Sequence, residues 1–149
     1  MAAQFLIATQ AVTLVANTAK TVIEIPTGAN QEYTVVAIEI GSAATAAGSL
    51  AVEWGTFTTT GTGTTITPQK WGQNQNVTAA LGTVKIADTV EPAGFAVGTL
   101  WSLTVPLPGM YSAFYPQGRE FYQGPSVNRA IRVNSTQASP VRINLVIEQ

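Results

Sequence analysis

Val141-Arg142-Ile143-Asn144-Leu145-Val146-Ile147-Glu148 sets branched apolar residues at every second position. Successive side chains of an extended chain point to opposite faces, so Val141, Ile143, Leu145 and Ile147 share one face, which needs a core to cover it. Upstream, Ile131 and Val133 alternate with Ala130, Arg132 and Asn134. Two strands with one buried face each therefore close the chain.

The same signals recur outward from this pair. Val12 and Leu14 flank Thr13, and Val22, Ile23 and Ile25 lead into the turn Pro26-Thr27-Gly28. From Tyr33 to Ile40, the alternation puts Val36, Ile38 and Ile40 on one face and Tyr33, Val35, Ala37 and Glu39 on the other. The small residues 41–49 read as a connection before Leu50, Val52 and Trp54 resume the pattern. The Thr-rich stretch 56–67 reads as a long exposed loop or an edge hairpin, and 72–80 as a polar loop. Strands return at 83–87 and 99–105, the second ended by Pro106 and Pro108, because proline cannot donate to a ladder. An aromatic strand at 111–115, a turn at Pro116-Gln117-Gly118 and a short arm at 119–123 precede the closing pair.

Apolar spacing at a helical period is absent, and no Ser/Thr-x-x-Glu capping box precedes an apolar run. The expectation is an all-β fold of eight to ten strands: an antiparallel β-sandwich, jelly-roll-like, or a barrel. With 149 residues it forms a single domain, 1–149. Phe5, Leu6 and Ile7 are consecutively apolar and cannot all enter one half-buried face, so residues 1–10 read as an extended N-terminal arm or as a first strand between two layers.

Composition narrows the function. Only 10% of the residues are charged, against roughly 25% in an average soluble domain, a deficit that suits either a surface covered by neighbouring subunits or an ordinary β-domain with Thr-rich exposed faces. The seven basic residues are scattered and net charge is −1, so no phosphate-neutralising patch forms and nucleic acid is not an expected partner. The uncharged first nineteen residues are interrupted by Gln4, Thr9, Gln10, Thr13 and Asn17. They match neither a signal peptide nor a membrane span, so synthesis in the cytoplasm without membrane association is expected.

Chemistry is sparse. The chain has no histidine and no cysteine, which removes the commonest general base, the usual zinc ligands, thiolate nucleophiles and disulfides. Glu39 and Glu53 could face each other across paired strands as a glycosidase does, but isolated strand glutamates are mostly solvated. Asp88 is the lone aspartate, too few for a calcium loop. No catalytic residue, metal ligand or cofactor is expected, and the protein reads as a non-enzyme.

Aromatic residues carry the stronger signal. Among Trp54, Trp71 and Trp101, Trp71 lies in a polar, turn-rich stretch and is the candidate for exposure. Tyr111, Phe114, Tyr115, Phe121 and Tyr122 with Arg119 have the composition of an interface anchor or of a hairpin packed on the core. With Phe5, Leu6 and Ile7 these form the candidate interface set.

From residue 33 onward the layout resembles a known group. Tyr33-Thr34-Val35-Val36-Ala37-Ile38-Glu39-Ile40 leads into a small-residue loop, and Leu50-Ala51-Val52-Glu53-Trp54 into a Thr/Gly loop ending Thr67-Pro68. Tyr115-Pro116-Gln117-Gly118-Arg119-Glu120, Ala130-Ile131-Arg132-Val133-Asn134 and a last strand ending Ile147-Glu148-Gln149 follow. This resembles small virion proteins of tailed bacteriophages, head decoration (cement) proteins among them. The resemblance implies a protein on the capsid surface of the virion that binds the major capsid protein and stabilises the expanded shell by mass action. Low charge and icosahedral symmetry together suggest a homotrimer. The alternatives are a carbohydrate-binding or adhesin-like module stacking sugar rings on Trp71, and another head or tail structural subunit.

Overall fold

The computed structural model describes residues 2–71, 81 and 83–149, with residues 97–100 described by backbone alone. The polar loop expected at 72–80 lies outside the described residues. In chain order the strands are β1 (Gln4–Ala8), β2 (Val12–Thr13), β3 (Ala19–Ile25), β4 (Tyr33–Ser42), β5 (Gly48–Thr56), β6 (Thr62–Ile66) and β7 (Gln69–Trp71). They continue with β8 (Val84–Val90), β9 (Ala96–Leu107), β10 (Gly109–Phe114), β11 (Phe121–Gln123), β12 (Arg129–Ser135) and β13 (Pro140–Glu148). No helix occurs among the described residues.

Two antiparallel sheets stack face to face. The first runs β10-β4-β13-β1-β7, with β11 continuing beside β4 and β2 beside β13; the second runs β6-β8-β3-β12-β5-β9. Taking β1, β3, β4, β5, β9, β10, β12 and β13 as the framework, the first strand pairs with the last, the second with the seventh, the third with the sixth and the fourth with the fifth. That nested pairing is a jelly roll, an antiparallel ribbon wound into two Greek keys. Strands β6, β7 and β8 are an insertion between the fourth and fifth framework strands. They lengthen both sheets on one flank, where β8 joins β3 and β7 joins β1.

The core lies between the sheets. In β13, Val141, Ile143, Leu145 and Ile147 are each 0% exposed, while Arg142 is exposed and Asn144 and Val146 are half-buried. A fully buried side chain of this size contributes about 1.5–3 kcal/mol, which is why the period-two reading of this strand is so strong. Leu50, Val52 and Trp54 of β5 and Ile131 and Val133 of β12 complete the opposing wall.

Two expectations are corrected here. In β4 the inward residues are Tyr33 and Val35, then Ile38 and Ile40, because the register against β13 shifts between Val146 and Ile147. A β-bulge adds one residue and exchanges the faces, so Val36 is half-buried on the outer side instead of in the core. In β1, Phe5 and Ile7 are 1% and 0% exposed and belong to the core, leaving Leu6 alone to face outward. Residues 4–8 are thus a sheet strand held between β13 and β7, not an arm. Their core face excludes Phe5 and Ile7 from any outer contact surface.

Proline placement also differs from expectation. Pro106 does not end β9 but sits inside it, opposite Ser49 of β5. Strand β9 is the outermost of its sheet, and an edge tolerates a residue that cannot donate outward. Only Pro108 separates β9 from β10, so the chain passes from one sheet to the other at a single residue. A Cβ on Gly109 would stand 2.4 Å from the Pro106 carbonyl oxygen, a clash that only glycine avoids.

Candidate functional site

The two outer faces of the sandwich are chemically unlike. On the second sheet Arg132 and Glu53 pair at 3.1 Å, and the Arg132 guanidinium lies 4.1 Å over the Phe95 ring. Exposed Asn134, Ser102 and Thr104 occupy the same sheet, so this face offers water a conventional polar surface.

The first sheet is different because its registers line up apolar residues across four strands. One row runs Phe114, Ala37, Val146, Leu6, Gln69; its neighbour runs Tyr122, Thr34, Glu148, Gln4, Trp71. On the other side lie Ser112, Glu39, Asn144 and Ala8. Between Trp71 and Phe114 these rows form an open groove of about 300 Å³ lined by Leu6, Val36, Tyr115 and Val146, with Gln4, Glu39 and Asn144 as its polar members. Asn144 Nδ2 donates to Glu39 Oε2 at 3.2 Å, which fixes the amide on the groove floor.

The walls are aromatic and wet. Phe114 is 77% exposed and Trp71 52%. Phe114 ends β10, whose period of two turns Tyr111 and Ala113 toward the core and Met110, Ser112 and Phe114 away from it. Trp71 pairs with Gln4 on the three-residue edge strand β7, one position beyond Lys70, the partner of inward Phe5. Four strand spacings separate β7 from β10, so the strands that carry the two rings lie ~19 Å apart. A single sugar ring is much narrower than that span. An extended surface element fits it.

Of the residues expected to form a contact surface, Leu6, Trp71, Phe114 and Tyr115 come together in this groove. Tyr122 stands in the adjoining row, where its hydroxyl donates to Glu32 Oε2 at 2.5 Å. That bond, which favours the protonated phenol, raises its pKa. Tyr111 and Phe121 are half-buried against the core, the placement of the hairpin alternative, and do not line the groove. Phe121 meets Tyr115 edge to face at 4.7 Å, and burial pushes the Tyr115 hydroxyl up to about 12. Arg119 is exposed on the turn closed by its own N–H to the Pro116 carbonyl, with Gly118 at φ +84°, away from the groove. Of the other tryptophans, Trp54 is buried and Trp101, its cross-strand partner at 5.9 Å, half-buried. The sequence reading missed Val36 and Val146, and the clue was present. Tyr33 and Val35 share one parity and Ile38 and Ile40 the other, a phase change that marks a bulge.

Ionisable groups concentrate elsewhere. Glu39 and Glu53 lie on opposite sheets, since β4 and β5 belong to different layers, and cannot act as a pair. Glu24 and Asp88, 0% and 1% exposed, sit beneath the insertion. Glu24 Oε2 accepts from the Gly61 N–H at 2.8 Å, and its Oε1 lies 3.7 Å from Lys85 Nζ. Burial, a hydrogen bond that protonated Asp88 donates to the Glu24 carboxylate, and the charges of Glu24 and Glu91 push Asp88 up to about 7, against the pull of Lys85. Glu91 in turn accepts from the Thr21 N–H at 2.8 Å and from the Thr21 hydroxyl. This cluster ties the insertion to β3, and among the described residues no group of acidic side chains has the arrangement of a metal site.

No protein-family model matches the chain, and no curated protein shows significant similarity to it.

Proposed function

We propose that the protein is a capsid decoration (cement) protein of a tailed bacteriophage, a jelly roll that docks on the outer surface of the expanded shell through the outer face of its first sheet. The observation that carries this reading is the row Phe114, Ala37, Val146, Leu6, uncharged across four strands and walled by exposed aromatics. Isolated apolar residues on a surface are ordinary, whereas a contiguous patch rimmed by polar groups is the mark of a binding face. Exposed Trp and Tyr are the residue types that dominate contact energies. The ~19 Å between the strands that carry the walls suits a segment of a neighbouring protein. The resemblance in sequence layout supplies the shell as that neighbour.

Such a protein works mechanically. A ligand that binds the expanded lattice and not its precursor stabilises the former by RT ln(1 + [L]/Kd), about 2.7 kcal/mol per site at a hundredfold excess over Kd. Immunogold labelling of virions tests the reading, with hundreds of labelled copies on each head expected. Label confined to tails, or its absence from particles, would overturn it.

One observation favours a second reading. Trp71 stands beside Gln4, and Glu39 and Asn144 line the same groove, which gives an exposed ring close to hydrogen-bonding groups, as saccharide sites require. A glycan array decides: binding lost in Trp71→Ala with the fold intact would move the assignment to a carbohydrate-binding module, and a blank array would remove it.

A further inference from the structure

One flank of the sandwich is left open. Strand β9 ends the second sheet and β10 ends the first, and no strand among the described residues pairs with the free side of β9. Both come from a segment in which no charged residue occurs between Glu91 and Arg119. Soluble proteins normally blunt such edges with lysine, bulges, short strands or covering loops, because a free ladder invites another strand. The opposite flank follows that rule: β6 has five residues and a register shift between Thr62 and Thr64, and β7 has three residues. Along β9 the register with β5 shifts between Ala96 and Trp101, but Trp101–Leu107 keep it unbroken, and within that run the only blunting residue is Pro106 near the end.

Pro106 also orients the strand. Lacking an N–H, it occupies a position whose nitrogen points away from β5. Residues two and four positions earlier repeat that orientation, so Thr104 and Ser102 aim their backbone N–H and C=O groups outward. Their side chains are exposed on the outer face of the sheet. The free edge is therefore a working ladder.

We infer that β9 is a self-association edge, on which a second copy of this chain adds its own β9 antiparallel across a twofold axis. Antiparallel pairing is the arrangement in which one strand is complementary to itself, and it closes after two copies. Charge points the same way. An edge without charge offers nothing to select a charged partner and nothing to repel its own copy, and the whole chain carries a net charge of only −1. The edge thus favours a twofold pair over the threefold arrangement suggested by icosahedral symmetry. The pairing builds on the assembly reading but needs no capsid, so it is measured on the purified chain alone.

Sedimentation velocity at micromolar concentration is the test. The wild type should run at twice the 15.6 kDa chain mass. Ser102→Lys with Thr104→Lys, which sets like charges against each other across the twofold, should run as a monomer with an unchanged far-ultraviolet spectrum. Thr104→Pro, which removes one outward donor without adding charge, should raise the dissociation constant at least tenfold. A wild-type monomer or trimer, or folded variants that pair like the wild type, would overturn the edge. Loss of pairing with head labelling retained, or the reverse, separates this inference from the capsid reading.

Discussion

The two flanks of this sandwich solve the same problem in opposite ways. On the insertion flank the sheets end in short strands, one of them bulged, and the segment is anchored to β3 by Glu24, Lys85 and Glu91. On the other flank the sheets end in β9 and β10, drawn from a single charge-free run and joined at Pro108. One flank spends its polar side chains inward on anchoring itself; the other leaves its backbone to be completed. The difference teaches that charge in this protein is distributed by edge. A chain with only fifteen charged residues has placed several of them where a free edge would otherwise form.

The contrast can be broken at several points. The largest effect should come from the layer both flanks rest upon: Leu145→Ala, at a site 0% exposed in β13, should cost about 2–5 kcal/mol in urea unfolding. A loss below 1 kcal/mol would mean that the flanks, and not the centre, hold the fold.

The next effect sharpens the insertion flank. Asp88 titrates near 7 in the folded protein and from an ordinary 3.8 when unfolded, so between these values the native state holds a proton that the unfolded chain has released. Its stabilising contribution is complete below about pH 4 and is lost as pH rises through 7. Melting temperature should therefore fall from pH 4 to pH 7 and level off above, and Asp88→Asn should flatten that part of the profile. An Asp88→Asn profile parallel to the wild type would show that the slope originates elsewhere.

Smaller effects belong to the exposed aromatics. Trp71→Ala and Phe114→Ala remove side chains that are mostly in water, so each should change stability by less than about 1 kcal/mol. On shells that bind the wild type, each should weaken binding by about 2 kcal/mol, roughly thirtyfold. Equal binding of these variants in a pelleting assay would remove the groove from the docking face. The smallest stability change is expected on the open flank. Ser102→Lys with Thr104→Lys should alter the urea midpoint of the monomer hardly at all, within about 0.5 kcal/mol, and any larger loss would show that β9 is already load-carrying within one copy.

Much of the fold was legible because burial in strands such as β13 follows a period of two. Ile143, Leu145 and Ile147 could be assigned to the core from spacing alone, as could Val52 and Trp54. The bulge in β4 was hidden because every residue from Val35 to Ile38 is apolar, so polarity did not mark which one was extra. Pro106 misled because proline reports a missing donor and says nothing of whether a neighbour exists to miss it. Strands β6 and β7 read as loop or hairpin and turn, since they are short and mostly polar and only Ile66 of β6 packs against the core. The groove was half visible. Its aromatics stood out by type, whereas Val36 and Val146 became surface residues only through registers that join strands from distant parts of the chain.

The single-residue corner at Pro108 has a consequence for regulation. The strand offered to a second copy and the strand that carries Phe114 are two arms of one short lever, with no loop between them to absorb displacement. Any shift of β9 on completion of its ladder would be passed to β10, and so to one wall of the groove. Linkage requires reciprocity: whatever factor pairing gives to docking, docking returns to pairing. If pairing strengthens docking, occupancy of a surface rises with a Hill coefficient above one; if it weakens docking, the coefficient falls below one.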